Sequence, residues 1–163
     1  MQPDTEVFNP SDVEFKRVSP NLLKVRMVSL GIGAVVTILP AAALSVLLSR
    51  WIWIAVAALA ALFVWLFWLV PRQVRAIGYA EGPSDLLIRK GIMFRNLTII
   101  PYGRLQYVDV SEGPIARYFK IAEVELHTAS ASTDASIPGL PSGEAARLRN
   151  ELAARGEAEM AGL

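Results

Sequence analysis

Between positions 27 and 70 every residue is uncharged except Arg50, which splits the run into apolar stretches at 27–48 and 51–70. At about 1.5 Å of rise per residue, each is long enough to cross a hydrocarbon core roughly 30 Å thick. A helix satisfies its own backbone groups in lipid, so both stretches are expected to be membrane-spanning helices. Only Ser49 and Arg50 separate them, which predicts an antiparallel hairpin with both chain ends on one side. Pro40 falls inside the first span, where a kink is expected, and Pro71 marks the exit of the second.

The pattern changes after Pro71. Short β-rich runs follow at 74–79, 85–90, 97–101, 105–110, 123–128 and 135–137, punctuated by the turn signals Glu81-Gly82-Pro83-Ser84 and Glu112-Gly113-Pro114. From Val124 to Thr128 apolar and polar residues alternate, as in a half-buried antiparallel strand. One amphipathic helix closes the chain. Ser142 is its expected N-cap, Glu144 sits in its first turn, and Gly156 offers a stop. Ala145, Leu148 and Leu152 share one face, suited to plugging the open end of a small β-structure. The expected fold is a two-helix transmembrane hairpin followed by a small β-barrel or sandwich capped by a C-terminal α-helix, a plan for which a PH-like barrel is one of several options. Its expected parts are a flexible cytoplasmic tail at 1–20, the hairpin at 21–71, the PH-like domain at 72–156 and a disordered tail at 157–163.

Charge sets the expected orientation. Lys16, Arg17, Lys24 and Arg26 precede the hairpin and Arg72 and Arg75 follow it, against Arg50 at its tip. The positive-inside rule then places both termini in the cytoplasm and the hairpin tip outside. Trp51 and Trp53 at one boundary and Trp65 and Trp68 at the other fit interfacial aromatic belts. A cleaved signal peptide is the alternative for the first span, since Pro40-Ala41-Ala42-Ala43 resembles a cleavage site. The long, acid-containing segment before it and the continuation of the apolar run to Leu48 argue against that reading.

Composition narrows the chemistry. From Arg72 onward eleven bases face eleven acids, which argues against a nucleic-acid partner. The chain has no cysteine and one histidine, so disulfides, thiolate metal sites and cysteine nucleophiles are excluded, and no cofactor or histidine-rich metal site is expected. No nucleophile elbow, phosphate-binding glycine loop or paired-carboxylate site is present. Neither span contains an ionisable residue, so an ion or proton path is not expected either. The chain reads as a non-enzyme.

A resemblance adds to this. The runs DLLIRKGI from Asp85, IPYGRLQYV from Ile100, GPIARYF from Gly113, VELHTA from Val124 and IPGL from Ile137 resemble, in order and spacing, bacterial PH-domain membrane proteins of the YdbS type. The similarity covers roughly residues 18–155. It implies a PH-like barrel held at the inner membrane face, with a larger membrane protein of the same kind as partner. One departure is Lys120, where such proteins tend to have glycine, so this turn is expected to differ.

Two sets of residues are candidate sites. Arg72, Arg75, Arg89, Lys90 and Arg95 form the nearest approach to a basic patch and are candidates for contact with lipid headgroups. Ser29, Gly33, Thr37, Ala41 and Ser45 place a small residue at every fourth position of the first span, a candidate helix-packing stripe. Packing within the hairpin, against Ala57 and Ala61, is the preferred reading over a contact between chains or a homo-oligomer. His127 reads as a solvated residue on an exposed strand face, and Arg117 as structural. The expected function is a membrane-anchored, non-catalytic interaction or scaffold module that docks a partner membrane protein. The alternatives are an accessory subunit of an envelope transport or stress-defence complex, or a lipid-headgroup-binding module.

Overall fold

The computed structural model describes residues 14–48, 51–129 and 133–161. Two long helices, α1 (Asn21–Leu48) and α2 (Ile52–Arg75), lie side by side, and both are long and apolar enough to cross a membrane. Large apolar side chains on their outer surfaces, among them Val36, Leu39, Val64 and Trp65, are exposed, as lipid-facing residues are.

Helix α2 runs through Pro71 to Arg75 rather than ending there. Proline removes one ladder hydrogen bond, but Val70, Val74 and Ile77 recur at helical spacing and are all buried in the domain core. Tertiary burial thus carries the helix past its weak point. Of the run expected to be a strand at 74–79, Val74 and Arg75 therefore end the helix and only Gly78 and Tyr79 lie in a strand.

The domain that follows is a sandwich. One antiparallel sheet has the order β1-β2-β3-β4, formed by Lys16–Arg17, Gly78–Glu81, Asp85–Lys90 and Asn96–Pro101. The other has the order β5-β6-β7, formed by Leu105–Ser111, Ile121–Thr128 and Ala135–Pro141. Neither sheet closes into a barrel. Strand β6 buries Val124, Leu126 and Thr128 while Glu125 and His127 stay half-exposed, the alternation its sequence predicts. A short helix, α3 (Pro114–Tyr118), joins the second sheet's first two strands.

Helix α4 (Ser142–Ala161) covers one end, with Ala145, Leu148 and Leu152 essentially fully buried. It does not stop at Gly156, and the residues expected to be a disordered tail are helical as far as Ala161. Gly156 is buried, and a Cβ on it would come within 3.4 Å of the Tyr102 carbonyl oxygen. Its smallness serves close packing, not termination. Ser142 is the first helical residue; its hydroxyl binds Glu112 (2.6 Å) instead of capping the helix.

Residues 14–20, the described end of the segment expected to be a flexible tail at 1–20, are built into the fold. Lys16 and Arg17 pair with Tyr79 and Gly78 across an added edge strand. Val18 and Leu22 then enter the same core as Val70, Val74, Leu86, Ile100 and Leu126. A two-residue strand gives no readable period in sequence, but backbone pairing with β2 and burial of Val18 hold it. The start of α1 and the end of α2 thus share one core with the sandwich. Residues 1–13, the hairpin tip at 49–50 and residues 162–163 lie outside the described residues.

Candidate membrane-proximal site

Where the hairpin meets the domain, a cleft of about 710 Å³ opens between the foot of α1, the end of α2 and the β3–β4 turn. Its cations are Arg26, Arg72 and Lys90; its apolar walls include Trp68, Ile77 and the turn residues Ile92 to Phe94. Among the described residues no carboxylate lines it.

Each part has a local cause. The Arg72 guanidinium lies 3.5 Å from the centroid of the Trp68 ring, one helical turn back. This cation–π stacking holds the charge along the helix at the level of an interfacial aromatic. Lys90 ends β3 and donates to Ser136 Oγ at 3.3 Å. Burial pushes its ammonium below the ordinary lysine value; Glu123 opposes this and the nearby Arg26 charge adds to it. Neither Arg26 nor Arg72 has an acidic partner among the described residues.

The turn itself is tightly constrained. Gly91 has φ +98°, and a Cβ there would overlap the carbonyl oxygen of Phe94. Only glycine fits such a close reversal. It leaves Met93 and Phe94 more than four-fifths exposed and Ile92 two-fifths exposed. Three neighbouring apolar side chains presented to solvent in this way are unusual on a folded domain.

Of the five basic residues picked out from the sequence, the structure brings Arg72 and Lys90 together. Arg75 is exposed at the end of α2 and does not line the cleft. Arg89 points to the other face of β3, its guanidinium 4.7 Å from the centroid of the Phe15 ring. Arg95 is exposed beyond the turn. Arg26 is visible in sequence only as an orientation signal, and Gly91 is the one sequence clue to the apolar turn.

The small-residue stripe is divided. Ser45 is buried, its hydroxyl donating to the Ala42 carbonyl at 2.6 Å, and Gly33 faces Phe63 of α2 at 3.9 Å from the position of a Cβ. Ser29 and Thr37 are exposed, Ala41 half-exposed, and Thr37 Oγ1 returns to the Gly33 carbonyl at 2.8 Å. A spacing of four overshoots the 3.6-residue turn, so successive members rotate by about 40°. The stripe therefore winds from one side of α1 to another.

Two polar groupings lie away from the cleft. Glu81 accepts from Lys16 (3.0 Å) and Arg147 (2.7 Å), joining β1, β2 and α4; Arg147 also holds Glu144 and Glu151. Glu144 in turn accepts from the buried Tyr79 hydroxyl at 3.1 Å. Burial would raise the Glu81 carboxyl, but the hydrogen bonds from Arg147 and Lys16 outweigh it and hold it below its ordinary value. The second grouping is His127, which stacks on Tyr107 (centroids 4.4 Å apart) and has Nδ1 3.1 Å from Asp134 Oδ2. The histidine is thus part of a packed surface pair rather than simply solvated. Among the described residues no cluster of three His, Cys, Asp or Glu side chains could hold a metal.

An apolar groove of about 370 Å³ lies on another side of α1, between Val28 and the residues Pro114, Ile115, Tyr118 and Phe119. Tyr118 is 82% exposed there.

A hairpin of two spanning helices sharing its core with a PH-like sandwich defines a membrane protein with a built-in PH-type module. The chain belongs to the Bacterial PH domain family, whose model matches residues 25–156, most of both hairpin and sandwich. It is also similar to the UPF0699 transmembrane protein YdbS of Bacillus subtilis (strain 168), 32% identical over 118 residues, covering 61% of this chain and 73% of that protein. No solved structure matches it.

Proposed function

We propose that this chain is a non-catalytic scaffold module of the bacterial plasma membrane. Its PH-like sandwich sits on the cytoplasmic side and docks another membrane protein of the same family. The observation that carries this reading is the shared core: Val18, Leu22, Val70, Val74 and Ile77 from the hairpin region pack with the sandwich. A module so fixed cannot reorient freely, so whatever surface it presents near the bilayer is presented at a set height and angle. Tethering also raises its effective concentration towards partners in the same membrane, which lets a modest surface act. The groove beside Tyr118 is the surface best placed for a partner's helix, because it is apolar and opens beside the foot of α1. The charge-free spans favour an anchor over a conduit.

A photocrosslinker on cysteine at Tyr118→Cys, in native membranes, tests the reading. The expected product is an adduct with a membrane protein carrying further bacterial PH domains, lost in the Ile115→Asp variant. Adducts with lipid alone, or none, would oppose it.

A further inference from the structure

We infer that the cleft between the hairpin foot and the β3–β4 turn binds an anionic phospholipid of the adjoining leaflet, with Arg26, Arg72 and Lys90 around its phosphate and Ile92, Met93 and Phe94 inserted among its neighbours. The site differs from the groove beside Tyr118: Arg26 and Val28 are two residues apart on α1 and so face different sides of the helix.

Three observations converge on this occupant. First, the cleft gathers three cations with no carboxylate among its described lining residues. Lys90 is half-buried; Glu123, outside the cleft, supports its charge, and the field of Arg26 works against it. A phosphate between them would offset the Arg26–Lys90 repulsion further, which no described residue lining the cleft does. Second, the apolar and the basic parts are arranged as a membrane surface requires. Trp68 and Arg72 lie near the domain-side end of a spanning helix, where interfacial aromatics and snorkelling cations collect. The exposed turn is beside them, so its apolar tips meet headgroups and upper acyl chains rather than water. Third, the turn is stiff: the Gly91 conformation and its contact with Phe94 hold Met93 and Phe94 outward. Little ordering cost is then incurred on insertion. A partner protein's apolar helix would fill the hydrophobic part but leave Arg26 and Arg72 uncompensated, and a soluble anion would leave the exposed turn unexplained.

The chain has no cysteine, so a single Met93→Cys substitution provides a unique probe position in the otherwise intact protein. The full chain, carrying a benzophenone at that position, is reconstituted in nanodiscs of phosphatidylcholine with or without phosphatidylglycerol and irradiated. The expected adduct is phospholipid, enriched in phosphatidylglycerol over its share of the bilayer. In parallel, unlabelled protein is exposed to the two lipids in detergent and examined by native mass spectrometry. Phosphatidylglycerol should be retained preferentially. The Arg26→Gln/Lys90→Gln variant should lose this retention by about thirtyfold, two surface cations at roughly 1 kcal/mol each. Arg104→Gln/Arg149→Gln, an equal loss of charge at exposed positions elsewhere, should not. The inference is overturned if residue 93 crosslinks only to protein, including a second copy, or to nothing. It is equally overturned if both lipids are retained alike or if both double variants weaken retention equally. The Met93 probe keeps all three cations, so poor folding of the charge variants would not shield the inference.

Discussion

Gly139 lies so close to Leu22 that a methyl group on its Cα would stand 2.6 Å from the Leu22 Cβ. This is where the first turn of the hairpin presses on the sandwich. Gly139 has φ +75° and sits at a bulge, where the register of β7 against β6 shifts between Ala122 and Val124. Its carbonyl accepts from the Ser19 amide at 2.9 Å, just before α1 begins. Backbone conformation, close approach and hydrogen bonding thus all make this glycine the hinge pin between membrane and domain.

Gly139→Ala is accordingly expected to be strongly destabilising. The left-handed conformation costs an alanine about 1–2 kcal/mol, and the steric overlap adds about 1–3 kcal/mol. Thermal unfolding of the full chain in detergent should show the loss. Leu22→Ala should not rescue it, because the nearest atom is the Cβ that alanine keeps.

Lys120 has φ +54° and is the one described non-glycine residue in that region. The turn therefore retains a conformation suited to glycine despite carrying lysine. The Lys120 amide donates to the Arg117 carbonyl (3.1 Å) and its own carbonyl accepts from the Ser142 amide (3.2 Å), so the surroundings hold it in place. Lys120→Gly should stabilise the protein by about 0.5–1 kcal/mol, the strain relieved less the extra freedom glycine gains when unfolded. Chemical denaturation midpoints compared at equal slope would show it.

The Glu81 network predicts an acid-sensitive component of stability. Glu81 and Glu144 are both held below their ordinary value of 4.5: Glu81 by Arg147 and Lys16 against its burial, Glu144 chiefly by Arg147 and also by Tyr79. A carboxyl depressed in the folded state contributes fully above its unfolded value and loses that contribution as pH falls through the folded one. Stability should thus drop below about pH 4.5. Glu81→Gln should cost about 1–2 kcal/mol at neutral pH, since Arg147 and Lys16 remain half-exposed and can be rehydrated. It should also flatten the acid limb of a stability–pH curve measured from pH 7 to pH 3.

These relationships also show what could be read in advance. The two spans, their antiparallel pairing, the alternation in β6 and the buried face of α4 are local periodicities, and the sequence displays local periodicity directly. The grip of Arg147 on Glu81 joins residues 66 apart, and no spacing rule reaches that far. The β1 strand was missed because two residues have no period and its partner is β2, some sixty residues on. The cleft drew on Arg26, Arg72 and Lys90, of which two were picked out as charges. The turn at Ile92–Phe94 was not, since three apolar residues after a strand read equally well as its continuation. Gly91 was the available clue: a glycine directly after a strand and before exposed apolar residues marks a sharp reversal.

The account rests most heavily on the hairpin holding the sandwich on the cytoplasmic side, and single cysteines in this cysteine-free chain test that directly. Ser49→Cys at the expected tip and Glu157→Cys on α4 would be treated with a membrane-impermeant maleimide in intact and in permeabilised cells. The account predicts that residue 49 labels in intact cells and residue 157 only after permeabilisation. Labelling of residue 157 in intact cells would place the sandwich outside and contradict it.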